Sequence, residues 1–213
     1  MDSEGLEFRA TRDLDVVLHV EALTPTFAEA FWQFVADGQY ERREVSADQR
    51  PCFYRFQRPA DKRFPVMVEL FARVPDALRP LPTGQHLTPI PFDEAVSSLS
   101  AILLDDDYYR FIMDGRRQTD GVPHVAEDRL IPLKAVAWLE MRDRRTAGEA
   151  IEEQKIRKHL NDVVRLSQLL RPGTTIVLAD RLKSDMLRFL GEAAMEQTLD
   201  PTKLGVRTSL DSV

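Results

Sequence analysis

The chain has 213 residues, of which 43% are hydrophobic and 30% charged, and a formal net charge of -6. This is an ordinary globular balance for one domain or two small ones. Its acidity argues against broad electrostatic binding of nucleic acid, leaving room only for a local basic groove. Cys52 is the sole cysteine, which excludes an intrachain disulfide, and the four histidines are too scattered for zinc-site spacing. The first residues carry no apolar signal segment, and no apolar run approaches the roughly 20 residues of a membrane span. A cytoplasmic protein without a membrane partner is expected.

In chain order, residues 13–20 read as a strand, with Asp13 and Asp15 on one face and Leu14, Val16, Leu18 and Val20 on the other. Thr24 followed by Pro25 predicts a helix start, and Phe27, Ala30, Phe31, Phe34 and Val35 recur at helical spacing to Gly38. A polar loop is expected up to Arg50. Cys52–Phe56 alternates like a strand, Arg58–Asp61 resembles a turn, and Val66–Ala72 is a stronger strand. Five prolines between residues 75 and 91 predict loop or short edge pieces, and a strand is expected over Ser97–Leu104. Asp105–Asp107 should cap a short helix carrying Tyr108, Phe111 and Ile112.

The second half reads as helical. Helices are expected over Glu127–Arg145, Glu152–Leu170 and about Thr175–Glu196. The first should bury Leu130, Leu133, Val136, Ala137 and Met141. The second should bury Ile156, Leu160, Val163, Val164 and Leu166–Leu170, with Pro172-Gly173 as its stop. The expected organisation is an α+β core over residues 1–115, a helical region over 116–200 and a polar tail over 201–213.

Two carboxylates at alternate positions of a stiff strand can hold a divalent ion and a phosphate-bearing substrate. Glu69 interrupts Val66-Met-Val-Glu-Leu-Phe, an otherwise core-like run, and a carboxylate there needs a metal, a cation or water. If that strand lies beside residues 13–20, Glu69 joins Asp13 and Asp15 in a cluster that invites Mg²⁺. An edge position facing water is the other reading of Glu69, and a solvent-facing strand start that of the aspartates.

The pattern Arg9-x-Thr11-x-Asp13-x-Asp15, followed by an apolar strand, resembles the signature strand of the nucleotidyltransferase superfamily (the polymerase β-like fold). Within it, the chain is most similar to the AbiEii-type toxins of type IV toxin–antitoxin systems and related minimal nucleotidyltransferases. Leu130-Ile-Pro-Leu-Lys134-Ala-Val-Ala137 resembles the family's lysine-bearing helix, and Lys158-His159-x-x-Asp162 its lysine–aspartate helix motif. The resemblance spans residues 8–171 and implies a mixed sheet flanked by helices, followed by a helical bundle. It implies Asp13, Asp15 and Glu69 as Mg²⁺ ligands, with Lys134 and Asp162 joining them as catalytic residues. Arg9, Thr11, Lys134 and Lys158 would bind the nucleotide. Read without the family, Lys134 is a charge at the edge of an amphipathic helix and Lys158 with Asp162 a surface i,i+4 pair. The Arg142, Arg144, Arg145 cluster is a contact patch or a solvated helix end.

The family signature begins with a helix and a glycine-glycine or glycine-serine turn that lets backbone amides approach the triphosphate. Ahead of Arg9 the sequence offers only Gly5-Leu6. Either the coding start lies upstream or the phosphate turn is remodelled. Without that helix, apolar sheet surface would need cover from the C-terminal helix or a second subunit, so a homodimer is expected. The expected function is Mg²⁺-dependent transfer of a nucleoside monophosphate from a nucleoside triphosphate to an RNA or protein hydroxyl, with an antitoxin as a partner. The alternative is a non-catalytic nucleotide-binding or interaction protein of the same fold, and a third option is a metal-dependent phosphohydrolase.

Overall fold

The computed structural model describes residues 13–19, 24–47, 50–74, 87–89 and 100–196. The chain divides between Tyr109 and Arg110 into a sheet unit and a helical unit. The class is α+β: among the described residues there are a six-stranded sheet, a separate two-stranded one and five helices.

In the sheet unit, β1 (Asp13–Val17) leads to α1 (Pro25–Gly38). The Thr24 hydroxyl accepts the Phe27 N–H at 3.2 Å, and Pro25 occupies the first turn, where its missing N–H costs nothing. Gln39 ends the helix in the left-handed region, at φ 49°. Gly38 is required by Tyr40, two residues on, because a methyl at 38 would fall 2.6 Å from the Tyr40 ring. Tyr40 is buried and donates its hydroxyl to the Pro65 carbonyl at 2.6 Å.

Five further strands extend the sheet: β2 (Glu41–Ala47), β3 (Arg50–Gln57), β4 (Met67–Ala72), β5 (Leu87–Pro89) and β6 (Ser100–Leu103). Their order is β2-β3-β4-β6-β5, with β1 paired to β4. The expected polar loop before Arg50 is therefore a strand. β2 is terminal in the strand order. β5 ends in Pro89 and is also terminal, as a proline in a ladder demands.

β4 is the hub. It runs parallel to β1 and β6 and antiparallel to β3. Its Val68, Leu70 and Ala72 alternate onto the core face, where they meet Val16, Leu18, Phe56 and the inner side of α1. Phe31 and Trp32 pack edge-on against Phe56, at centroid distances of 5.2 and 5.9 Å. Leu14 starts the same face but is 44% exposed, at the end of the strand. Tyr109 closes this core by donating its hydroxyl to the Leu18 carbonyl at 3.2 Å.

α2 (Asp106–Asp114) begins as expected: the Asp105 carboxylate accepts the Asp107 N–H at 2.9 Å. A hairpin then forms from β7 (Arg116–Thr119) and β8 (Val122–Val125) around Asp120-Gly121, both with positive φ, at 50° and 81°. The Asp-Gly pair is a strong hairpin signal that the reading above did not use.

In the helical unit, α3 (Glu127–Thr146) packs on α4 (Glu153–Ser167) and α5 (Asp180–Ala193). The buried side of α3 is Ile131, Pro132, Ala135, Trp138 and Leu139, a correction to the side expected, of which Leu130 and Met141 pack partly buried against this core. Apolar residues surround this helix, so spacing alone does not choose the face, and Trp138 takes the centre. α4 buries Ile156, Leu160, Val163 and Leu166, close to expectation. α5 starts at Asp180, later than expected, because residues 174–179 are irregular. Arg129 runs along Gly115 and over the Phe111 ring, 4.3 Å from its centroid, so a side chain at 115 would displace it. The tail over 201–213 lies outside the described residues.

Candidate functional site

Strand pairing brings the two central predictions together. β1 and β4 are parallel, and Asp15 is the Cα partner of Glu69, with Asp13 opposite Met67. Paired residues of adjacent strands share a face, so Asp13, Asp15 and Glu69 lie on the side of the sheet away from the α1 core. Asp13 and Asp15 are exposed. Asp15 makes no ion pair or side-chain hydrogen bond with another described residue.

Glu69 has a protein partner that the reading above did not assign. Arg55 on β3 is its Cα partner on the other side. The Arg55 Nε and one terminal nitrogen both reach Glu69 Oε1, at 2.6 and 2.5 Å. The Glu69 side chain is only 13% exposed, so this pair answers the desolvation of a carboxylate in a core-like run. The register continues to Arg43, so Asp15, Glu69, Arg55 and Arg43 form one row across four strands. The signal for Arg55 was in the sequence: an arginine alternating with Tyr54 and Phe56 one strand before the intrusive Glu69.

Among the described residues, no group of three or more His, Cys, Asp or Glu side chains could hold a metal ion. Asp13 and Asp15 are two exposed carboxylates at alternate positions of β1. That fits Mg²⁺, which keeps several waters and is held by one or two carboxylates plus substrate phosphates. Glu69, the Cα partner of Asp15, has its Oε1 engaged by Arg55.

The other predicted residues lie on the helical unit. Lys134 is half-buried on α3 and forms no ion pair among the described residues. Lys158 and Asp162 sit one turn apart on α4, but Asp162 pairs with Arg165, at 3.9 Å, rather than with Lys158. Arg9 and Thr11 lie outside the described residues. The arginine cluster at the end of α3 is consumed by carboxylates: Arg144 by Glu149, Arg145 by Glu153, and Arg142 by Glu192. That arrangement corresponds to a solvated helix end.

A second acidic group, Glu140, Asp143 and Asp185, lies within the helical unit. Arg188 binds Asp143 through two nitrogens, at 2.5 and 2.8 Å, and holds its carboxyl below the usual range. Glu140 is exposed as a residue, but partial desolvation of its carboxyl, and then the neighbouring Asp185, push it upward. A carboxyl raised on folding favours the folded state while protonated, and that benefit disappears as pH rises through its folded value. Glu140→Gln is therefore expected to raise the urea midpoint at neutral pH. The variant and parent should converge near pH 3, where both side chains are neutral. A variant less stable than the parent at neutral pH would contradict this.

No family model matches the chain, and no curated protein or solved structure matches it. Among the described residues, no helix is long and apolar enough to cross a membrane.

Proposed function

We propose that this chain is a nucleotidyltransferase-like protein that transfers a nucleoside monophosphate from a nucleoside triphosphate to an RNA or protein hydroxyl. The observation that carries the reading is the parallel register of β1 on β4, which sets exposed Asp15 opposite Glu69, with Asp13 two residues before it, on the face of the sheet away from the α1 core. Asp13 and Asp15 would hold Mg²⁺, which when bound neutralises phosphate oxygens. Lys134, half-buried without an ion-pair partner among the described residues, suits a phosphate-binding cation. Lys158, Arg9 and Thr11 are proposed as further nucleotide contacts, and Asp162 as an additional polar catalytic group. In the reaction the acceptor oxygen bonds to the α-phosphorus and the bond to the α–β bridging oxygen breaks. Pyrophosphate leaves, and the hydroxyl proton passes to a carboxylate or water. The resemblance further suggests a toxin with a cognate antitoxin.

The Arg55–Glu69 pair favours a second reading, a non-catalytic nucleotide-binding protein, because one of the three carboxylates is already engaged. Calorimetric titration with Mg²⁺ and each nucleoside triphosphate, beside a labelled-nucleotide transfer assay, separates the two. The first reading expects transfer with pyrophosphate release, lowered about 100-fold or more by Asp13→Asn or Asp15→Asn. Binding without transfer supports the second, and free phosphate as product supports a phosphohydrolase. Absence of both metal and nucleotide binding overturns all three.

A further inference from the structure

Three non-glycine residues among those described have a positive φ: Gln39 at 49°, Arg58 at 52° and Asp120 at 50°. Gln39 caps α1, and Asp120 belongs to the Asp-Gly turn of the β7–β8 hairpin, so turn chemistry explains both. Neither explanation covers Arg58, where β3 runs into Pro59. A residue with a Cβ is strained in the left-handed region, which glycine and asparagine occupy more readily. A residue before proline also favours extended backbone, which adds to the conflict. The surrounding turn holds the strained form in place. The Arg58 N–H donates to the Val66 carbonyl and the Ala60 N–H to the Gly38 carbonyl, both at 3.0 Å. Phe64 of the same turn packs against the rings of Phe34 and Tyr40.

Backbone strain persists where the structure around it over-determines it, and such positions cluster at ligand sites. The Arg58 side chain is 73% exposed, and its 3.0 Å hydrogen bond to Glu41 Oε2 joins two solvated groups. A pair of that kind contributes little to stability, so it does not explain an arginine here. Strand register supplies a second observation. Glu41 is the Cα partner of Gln57, Gln57 of Met67, and Met67 of Asp13. This row lies next to that of Asp15, Glu69, Arg55 and Arg43, on the same face, because residues two apart on a strand point the same way. The bond to Glu41 therefore brings the Arg58 guanidinium to the carboxylate face. Across that face the charge changes sign. Asp13 and Asp15 stand on β1, and Arg55 and Arg58 stand two strand spacings away, about 10 Å.

We propose that Arg58 binds the terminal phosphate of a nucleoside triphosphate whose Mg²⁺ is held by Asp13 and Asp15. This rests on the nucleotidyltransferase reading and adds to it a phosphate contact within the sheet unit itself. A guanidinium binds phosphate through two nitrogens, and a triphosphate carries more charge than one carboxylate. Glu41 keeps the guanidinium on the carboxylate face until a phosphate replaces it.

Calorimetric titration of the full chain in Mg²⁺ tests this, with a nucleoside triphosphate, inorganic tripolyphosphate and a short RNA oligonucleotide as titrants. Arg58→Asn should weaken binding of both triphosphates about tenfold or more, yet melt no lower than the parent, because asparagine suits the left-handed backbone. Arg58→Lys should recover part of the affinity. Glu41→Gln should tighten triphosphate binding about threefold, and should do nothing once residue 58 is asparagine. Equal triphosphate binding by parent and Arg58→Asn overturns the proposal and leaves the transferase reading standing. Affinity lost together with a lower melting temperature also overturns it, by making the role structural. A defect confined to the RNA overturns it too, by assigning Arg58 to the acceptor strand. A parent that binds neither triphosphate overturns the proposal together with the reading beneath it.

Discussion

Trp138→Ala is expected to destabilise the helical unit by about 3–5 kcal/mol, the cost of emptying a large buried aromatic site. Trp138 is 1% exposed and stands where α3, α4 and α5 share one core. It meets Phe189 edge-on, and the Arg142 guanidinium lies 4.3 Å from its ring centroid. Truncation therefore removes dispersion contacts, an aromatic pair and a cation–π contact together. The loss is comparable to the whole stability of a small domain. Urea denaturation followed by far-ultraviolet circular dichroism will measure it. Trp138→Phe should cost much less, since it keeps a ring against Phe189. A loss below about 1 kcal/mol for the alanine variant would mean that the three helices do not converge on this residue.

That core also shows what the sequence alone could and could not specify. The existence of α3 was legible from its length and apolar content, but its buried side was not, because apolar residues face several directions. The neighbouring α4 has polar residues opposite its apolar ones, and its buried positions were readable. In the sheet unit, Thr24-Pro25 marks a helix start by local chemistry, and Val68, Leu70 and Ala72 mark a strand by alternation. β2 escaped because pairing of its backbone with β3, rather than an apolar face, makes it a strand. β7 and β8 escaped for the same reason: nearly every position is exposed, leaving only Asp120-Gly121 as a signal. At the candidate site, the need of Glu69 for a partner was legible, but its choice was not. A metal, a cation and water all satisfy a carboxylate in a core-like run. Only the strand order, with β3 on one side and β1 on the other, sets Arg55 and Asp15 in competition for its surroundings.

That competition leads to the sharpest test of the carboxylate row. Arg55→Met keeps the bulk of the side chain but leaves Glu69 beside Asp15 with no cation from β3. Breaking a buried ion pair by removing one partner costs about 3–5 kcal/mol, and the partial exposure of Arg55 and Glu69 (28% and 13%) lowers the expectation to about 2 kcal/mol. Like charges on directly opposed residues of adjacent strands add to the penalty. In metal-free buffer the variant should lose this stability, and the further change Glu69→Gln should restore most of it, because the stranded charge is gone. Mg²⁺ then distinguishes two kinds of row. If Asp13, Asp15 and the released Glu69 can hold a divalent ion, Mg²⁺ will raise the melting temperature of Arg55→Met more than that of the parent. Adding Asp15→Asn should abolish that gain. An equal rise in parent and variant would mean that Asp13 and Asp15 hold the ion without Glu69; no response to Mg²⁺ in either would mean that these carboxylates gather no metal even when the competing guanidinium is removed. The ion pair with Arg55 would then be the reason Glu69 interrupts β4, and the nucleotidyltransferase reading would lose its metal site.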